Sequence, residues 1–251
     1  MDFEQAGFIE SLLSRILELT VHNHLEDIDC LKVDVASSAA QLLQGKADAI
    51  YLEGQGLQAA DSLHVEHLSV QVKRVAIALV SMAMGKLELT QPARLTAQVV
   101  LSEDDLNAVI DRADVKAWIR EQPIVCGSQS LSLAIATLDC TLPAPDTFAL
   151  QVRAQIHSTD GEAPRPLQLR GQLRLEAKGQ RIYLEEAQFC HPNTPLLSET
   201  TAILTKVNDL LHRRSIQLDS LSLHIQTIAI QNHQLVLRFT AEIKDLQALL
   251  G

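Results

Sequence analysis

The stretch 47-ADAIYLEGQGLQAAD-61 decides the fold, because Gly54, Gly56 and Ala59 carry the spacing of a dinucleotide-binding turn at the end of an apolar run. Such a turn works only when it feeds straight into a helix whose N-terminus meets the pyrophosphate. After Asp61 and Ser62 this chain instead reads LHVEHLSVQV, which alternates at the period of a strand. Where an acidic ribose partner should stand, it reads VAIALVSMAMG. The glycines are therefore read as permitting a positive backbone angle or a bulge where one strand turns into the next. Sheet is expected to continue after Gly56.

Working outward, residues 47–57, 63–80 and 86–101 are rich in Val, Ile and Leu at period two, with phase slips near His67 and near Arg74 and Val75 that suggest β-bulges. Upstream, Ile28, Val33 and Val35 mark a strand, and SSAAQLLQG reads as a short helix stopped by Gly45. Downstream, LSEDDLNAVIDRADVKAWI is expected to be one helix, with Ser102 as N-cap, Asp105 three residues on and acids in the first turn. EQPIVCGSQ then reads as a connector. Strands follow at 130–140, 147–157, 167–177 and 181–189, separated by the turns TDGEAPRP and AKGQ. A last long helix near 195–212 starts at Thr194 and Pro195; Leu196, Ile203, Leu204, Val207, Leu210 and Leu211 give it a broad apolar side. Strands at 219–230 and 234–243 close the chain around the hairpin tip QNHQ. At the other end, residues 3–20 place Ile9, Leu12, Leu13 and Ile16 on one stripe of an amphipathic helix.

Composition narrows the function. Of 251 residues, 47% are hydrophobic and only 3% aromatic, so the interior is an aliphatic wall with few stacking platforms. The net charge is −10. Both features disfavour nucleic acid, which recruits cations for the phosphates and aromatic rings for the bases. Membrane contact would have to rest on apolar burial. The N-terminal stretch has acids at Asp2 and Glu4 and no uninterrupted apolar run of spanning length, so neither a signal peptide nor a transmembrane helix is expected. Cys30, Cys126, Cys140 and Cys190 form no C-x-x-C pair, which fits reduced thiols and a cytoplasmic protein.

Constellations that carry chemistry are missing. His22 with His24, and His64 with His67, lack a matched second pair, and neighbours such as Cys190 and His191 face apart on a strand. No nucleophile elbow, Walker loop or H-E-x-x-H motif occurs. No catalytic residue, metal site or cofactor is expected, and the chain reads as a non-enzyme.

The motifs do assemble into a familiar order. Leu42, Leu43 and Gly45 form an L-L-x-G step before a strand, and Gly54, Gly56 and Leu57 a Gly-x-Gly-Leu step. Pro92, Val99, Leu101, Ser102, Glu103, Asp105, Leu106 and Asn107 form a P-x-x-x-x-x-x-V-x-L-S-E-x-D-L-N passage. In these features the chain resembles the LmeA-like phospholipid-binding family. The resemblance implies an α+β fold in which a long, curved, mostly antiparallel β-sheet wraps the N-terminal helix and the helix near 195–212, similar to tubular lipid-binding proteins. The domain reading is a single elongated LmeA-like domain over 1–251, with the helix 3–20, a β-rich first half 28–120 and a β-rich second half 129–243.

The implied function is the binding or transfer of a phospholipid, or another acyl-chain lipid, through an aliphatic groove between sheet and helices. The candidate lining is Leu12, Ile16, Val70, Val72, Leu204, Val207 and Leu211. Exported relatives carry a signal or anchor segment, so this chain is placed in the cytoplasm, with peripheral contact on the inner membrane face. The rival reading is a non-enzymatic β-rich interaction or scaffold module with a fully packed core. The two separate on interior volume, since a carrier needs an apolar cavity and a scaffold does not.

Overall fold

Gly54 and Gly56 lie inside one strand, Lys46–Ala59, and not at a turn from one strand to the next as expected; the next described element, His64–Ala76, is a strand paired antiparallel to it. In this computed structural model the residues described are 25–59, 64–78, 88–158, 163–176, 181–190, 197–217 and 221–243. The N-terminal helix expected at 3–20, and the helix start at Thr194 and Pro195, lie outside them. Within the described residues the elements run β1 (Leu25–Ala36), α1 (Ala39–Leu42), β2 (Lys46–Ala59), β3 (His64–Ala76), β4 (Ala93–Leu101), α2 (Glu103–Asp111), α3 (Ala113–Arg120) and β5 (Ile124–Cys126). They continue as β6 (Gln129–Ala144), β7 (Thr147–Ser158), β8 (Arg165–Glu176), β9 (Arg181–Phe189), α4 (Leu197–His212), β10 (Ser215–Gln217), β11 (Leu221–Gln231) and β12 (Gln234–Ile243).

The chain divides into two compact units, residues 1–101 with 214–227 and 236–251, and residues 102–213 with 228–235. The first holds a seven-stranded sheet in the order β1-β2-β3-β4-β12-β11-β10. Its core gathers Val33, Val35, Leu42, Ala47, Ile50, Val75 and Ile77, drawn from β1, α1, β2 and the end of β3. The second holds a five-stranded antiparallel meander, β5-β6-β7-β8-β9, with α2, α3 and α4. The resemblance implied one long sheet. The strands fall into two because period two says which face a residue takes but not which strand lies beside it.

Gly56 answers for the opening motif. Its φ is +56°, and a Cβ there would lie 2.1 Å from Asp29 Oδ2 on β1. Flanking residues keep the ladder: Gln55 pairs with Cys30 and His67, and Leu57 with Ile28 and Val65. The glycine thus kinks β2 without shifting its register. The slip expected at His67 is absent, since His67 pairs in register with both Gln55 and Val100. Residues 67–72 are half-buried on both faces, which erases the polar alternation that marks a regular strand. The disturbance expected at Arg74 is present, with φ +54° followed by three consecutive buried residues, Val75 to Ile77.

Three further differences have local causes. The helix expected over 101–119 breaks at Arg112, whose ψ of 142° is extended, and the Arg112 guanidinium binds Asp114 in the first turn of α3 at 3.1 Å. The strand expected over 86–101 is described as Ala93–Leu101, preceded by an isolated bridge between Ile77 and Leu89. The connector EQPIVCGSQ contains β5, a three-residue edge strand that hairpins onto β6. Elsewhere the expected strands at 130–140, 147–157, 167–177, 181–189 and 234–243 correspond to β6 through β9 and β12. The tip Asn232 and His233 adopts positive φ at 52° and 59°, as a two-residue hairpin of the primed type requires.

Candidate functional site

Strand alternation in the second unit sends Phe148, Leu150, Val152, Ala154 and Ile156 of β7, and Leu167, Leu169, Leu173 and Leu175 of β8, to one face of the meander. On β6 the apolar phase changes. Leu131, Leu133 and Ile135 are followed by Leu138, Cys140 and Leu142, and the register shift between Ile135 and Thr137 absorbs Ala136 as the extra residue. On β9 the shift between Leu173 and Gln172 sets Leu184 and Ala187 on one face and leaves Glu185 outside, paired with Arg174 at 3.1 Å. Two bulges therefore keep an aliphatic face continuous across strands whose sequences are out of phase, and each bends its strand.

This face is only partly filled. α4 covers it with Ile203, Lys206, Val207, Leu210 and Leu211, the i, i+3, i+4, i+7, i+8 stripe of an amphipathic helix. α3 brings Trp118 and Ile119, with Gln122 just beyond its end. Between helices and sheet is a cavity of about 290 Å³, walled by Ile124, Leu133, Ile135, Leu138, Leu150, Val152, Leu167, Leu169 and Leu184. Gly171 forms part of the wall at a β8 position where the neighbours on the same face are leucines. A Cβ there would approach Leu184 Cδ1 to 3.1 Å. Its missing side chain leaves room in the middle of the sheet.

Several contacts hold the walls. α4 is tied to β8 by the ion pair between Glu199, which is buried, and Arg165, whose Nη1 donates to Oε2 at 3.2 Å. α2 starts with a capping box in which the Asp105 backbone N–H donates to Ser102 Oγ at 3.1 Å and the Ser102 N–H to Asp105 Oδ2 at 2.9 Å. One turn along, Asn107 makes two hydrogen bonds to the Cys140 backbone, and Glu103 Oε2 accepts from the Leu142 N–H at 2.8 Å. His233 Nδ1 lies 2.9 Å from the Leu142 carbonyl, an acceptor only, so that nitrogen carries the proton. Burial, reinforced by the charge of Glu103, pushes the Cys140 thiol up to about 12 and keeps it protonated. The four cysteines are free.

Of the candidate lining residues, Val207 and Leu211 stand in the cavity wall. Leu204 belongs to the same helix but falls beside the stripe, half-buried and outside the wall. Val70 and Val72 lie on β3 in the first unit, where Val72 packs against the core of Val33, Val35 and Ile50. Leu12 and Ile16 lie outside the described residues. Periodicity put Ile203 and Leu210 on the apolar side of α4 without marking them as lining, and it gave no sign of Lys206 or of the β6–β9 wall. The apolar side of α4 is wider than the cavity it covers, and a strand sequence does not tell an emptied face from a filled one.

A sheet and an amphipathic helix around an aliphatic cavity make a site suited to hydrocarbon. The chain belongs to the LmeA-like phospholipid-binding family, whose model matches residues 5–240. Comparison with curated proteins and with solved structures finds no match. No helix among the described residues is long and apolar enough to cross a membrane.

Proposed function

We propose that this protein binds a phospholipid by taking an acyl chain into the aliphatic cavity of its second unit. The observation that carries this reading is the cavity itself, about 290 Å³ walled by Leu, Ile and Val where a scaffold module would be close-packed. Its size lies just under the ~300–1,000 Å³ range of small-molecule sites, room for a segment of an acyl chain and not a whole lipid. Ten buried methylenes contribute about 8 kcal/mol before the cost of association, so affinity does not need a dedicated catalytic or metal group. Val207 and Leu211 are proposed as contacts to the chain. Leu12 and Ile16 are proposed to extend the apolar lining, on the strength of their helical stripe.

The free cysteines support a reducing compartment, and the low cation content supports a lipid rather than a nucleic-acid partner. Contact with a membrane is proposed to be peripheral, through apolar side chains such as Trp118, which is 47% exposed beside the cavity. Native mass spectrometry and lipid extraction of the purified protein test the reading. Co-purified phospholipid, or uptake from vesicles at one lipid per chain, is the expected result. Protein that carries no lipid and takes none from vesicles would overturn it in favour of the scaffold reading.

A further inference from the structure

We infer that Lys206 receives the phosphate of an anionic phospholipid whose acyl chain occupies the cavity, so that the site selects lipids by charge. The inference rests on the acyl-chain reading above and adds the polar end of the ligand.

Lys206 is the one charged side chain among the described residues that line the cavity; every other lining residue except Gln122 is apolar or glycine. It is half-buried and makes no ion pair among the described residues, in a chain that holds 31 acids against 21 lysines and arginines. Asp209, three residues along α4, stands exposed and does not bind it, and the buried acid of the helix, Glu199, is held by Arg165. An ammonium at the edge of an aliphatic wall, with no carboxylate paired to it, is placed to meet an anion. A lysine in such a wall can add its stem to the apolar lining and keep its ammonium toward water. Trp118 marks that rim, since it both lines the cavity and is half exposed. A ligand with an apolar tail and an anionic head would satisfy both ends at once, and a neutral tail would leave the ammonium as it is.

Trp118 is the only tryptophan in the chain, so its emission reports occupancy directly. Binding of 1-myristoyl lysophosphatidylglycerol and of 1-monomyristoylglycerol is to be titrated on the full chain by the blue shift of that emission. The wild type is expected to bind the anionic lipid at least about tenfold more tightly, the scale of a charge-assisted hydrogen bond. Lys206→Met should bring the two lipids to within about twofold of each other while retaining affinity for the neutral one, and Lys206→Arg should keep the preference. Equal affinities in the wild type, or a preference that survives in Lys206→Met, would overturn the role of Lys206 and leave the cavity reading standing. If neither lipid binds the wild type, both readings fall.

Discussion

Asn107 and Cys140, 33 residues apart in sequence, are joined by two hydrogen bonds of 2.8 Å. The Asn107 side-chain amide donates to the Cys140 carbonyl and accepts from the Cys140 N–H, as a neighbouring strand would. β5 covers the outer edge of β6 only at Gln129–Leu131. Further along, side chains replace it: Asn107 at Cys140, with Glu103 and His233 at the N–H and carbonyl of Leu142. An edge left open here would present unpaired backbone groups to other chains. The S-E-x-D-L-N motif is therefore a structural device: Ser102 and Asp105 start the helix, and Glu103 and Asn107, four apart on one helical face, close the sheet edge.

Asn107→Ala removes both partners of Cys140 and is expected to destabilise the protein by about 2–4 kcal/mol. Urea unfolding followed by circular dichroism measures it. A loss under about 0.5 kcal/mol would mean that water replaces the amide without cost.

Gly56→Ala combines a left-handed backbone with a Cβ placed 2.1 Å from Asp29 Oδ2. A loss of about 1–3 kcal/mol is expected. Adding Asp29→Ala should recover part of that loss and not all, because relieving the contact leaves the positive φ. Full recovery in the thermal midpoint of the double variant would assign the whole effect to the contact.

Gly171→Val puts a branched side chain into the cavity, beside Leu184 and Leu150. Lipid uptake should fall about tenfold or more, with far-ultraviolet circular dichroism unchanged, because one or two methylenes of the chain lose their place and the rest must shift. Unchanged uptake would show that the lipid is held elsewhere.

Thiol labelling should sort the cysteines. Cys30 and Cys190 are exposed and should react first at pH 8, whereas Cys140, buried and still protonated, should react only on unfolding. Because the Cys140 thiol titrates near 9.0 when unfolded and about 12 when folded, the unfolded chain releases its proton first as pH rises. This residue therefore contributes stability below pH 9 that is lost toward pH 12. Its replacement by alanine should flatten that part of the stability profile.

Much of the second unit was legible. β7 and β8 alternate without interruption, and the positions that face the cavity are the even residues of one and the odd residues of the other. On β6 the spacing Ile135-x-x-Leu138 carried the signal of a bulge, which the period-two reading absorbed into a plain strand. α4 was legible as a helix, yet Leu204 and Ile203 are neighbours on its apolar side. Only the packing against the sheet puts Ile203 in the wall and leaves Leu204 beside it.

The sequence by itself determined the helix start at Ser102, the strand periods, the aliphatic character of the interior and a pair of glycines, 54 and 56, free to take a positive backbone angle. Each of these follows from local chemistry: a cap, an alternation, a composition, or a backbone angle. Only the tertiary structure decided that the strands form two sheets, that Asn107 serves as a surrogate strand for Cys140, and that Gly171 and Lys206 face one cavity. Those relations join residues 33 to 35 positions apart through pairing and packing, and a sequence pattern records the face a residue takes but not what stands opposite it.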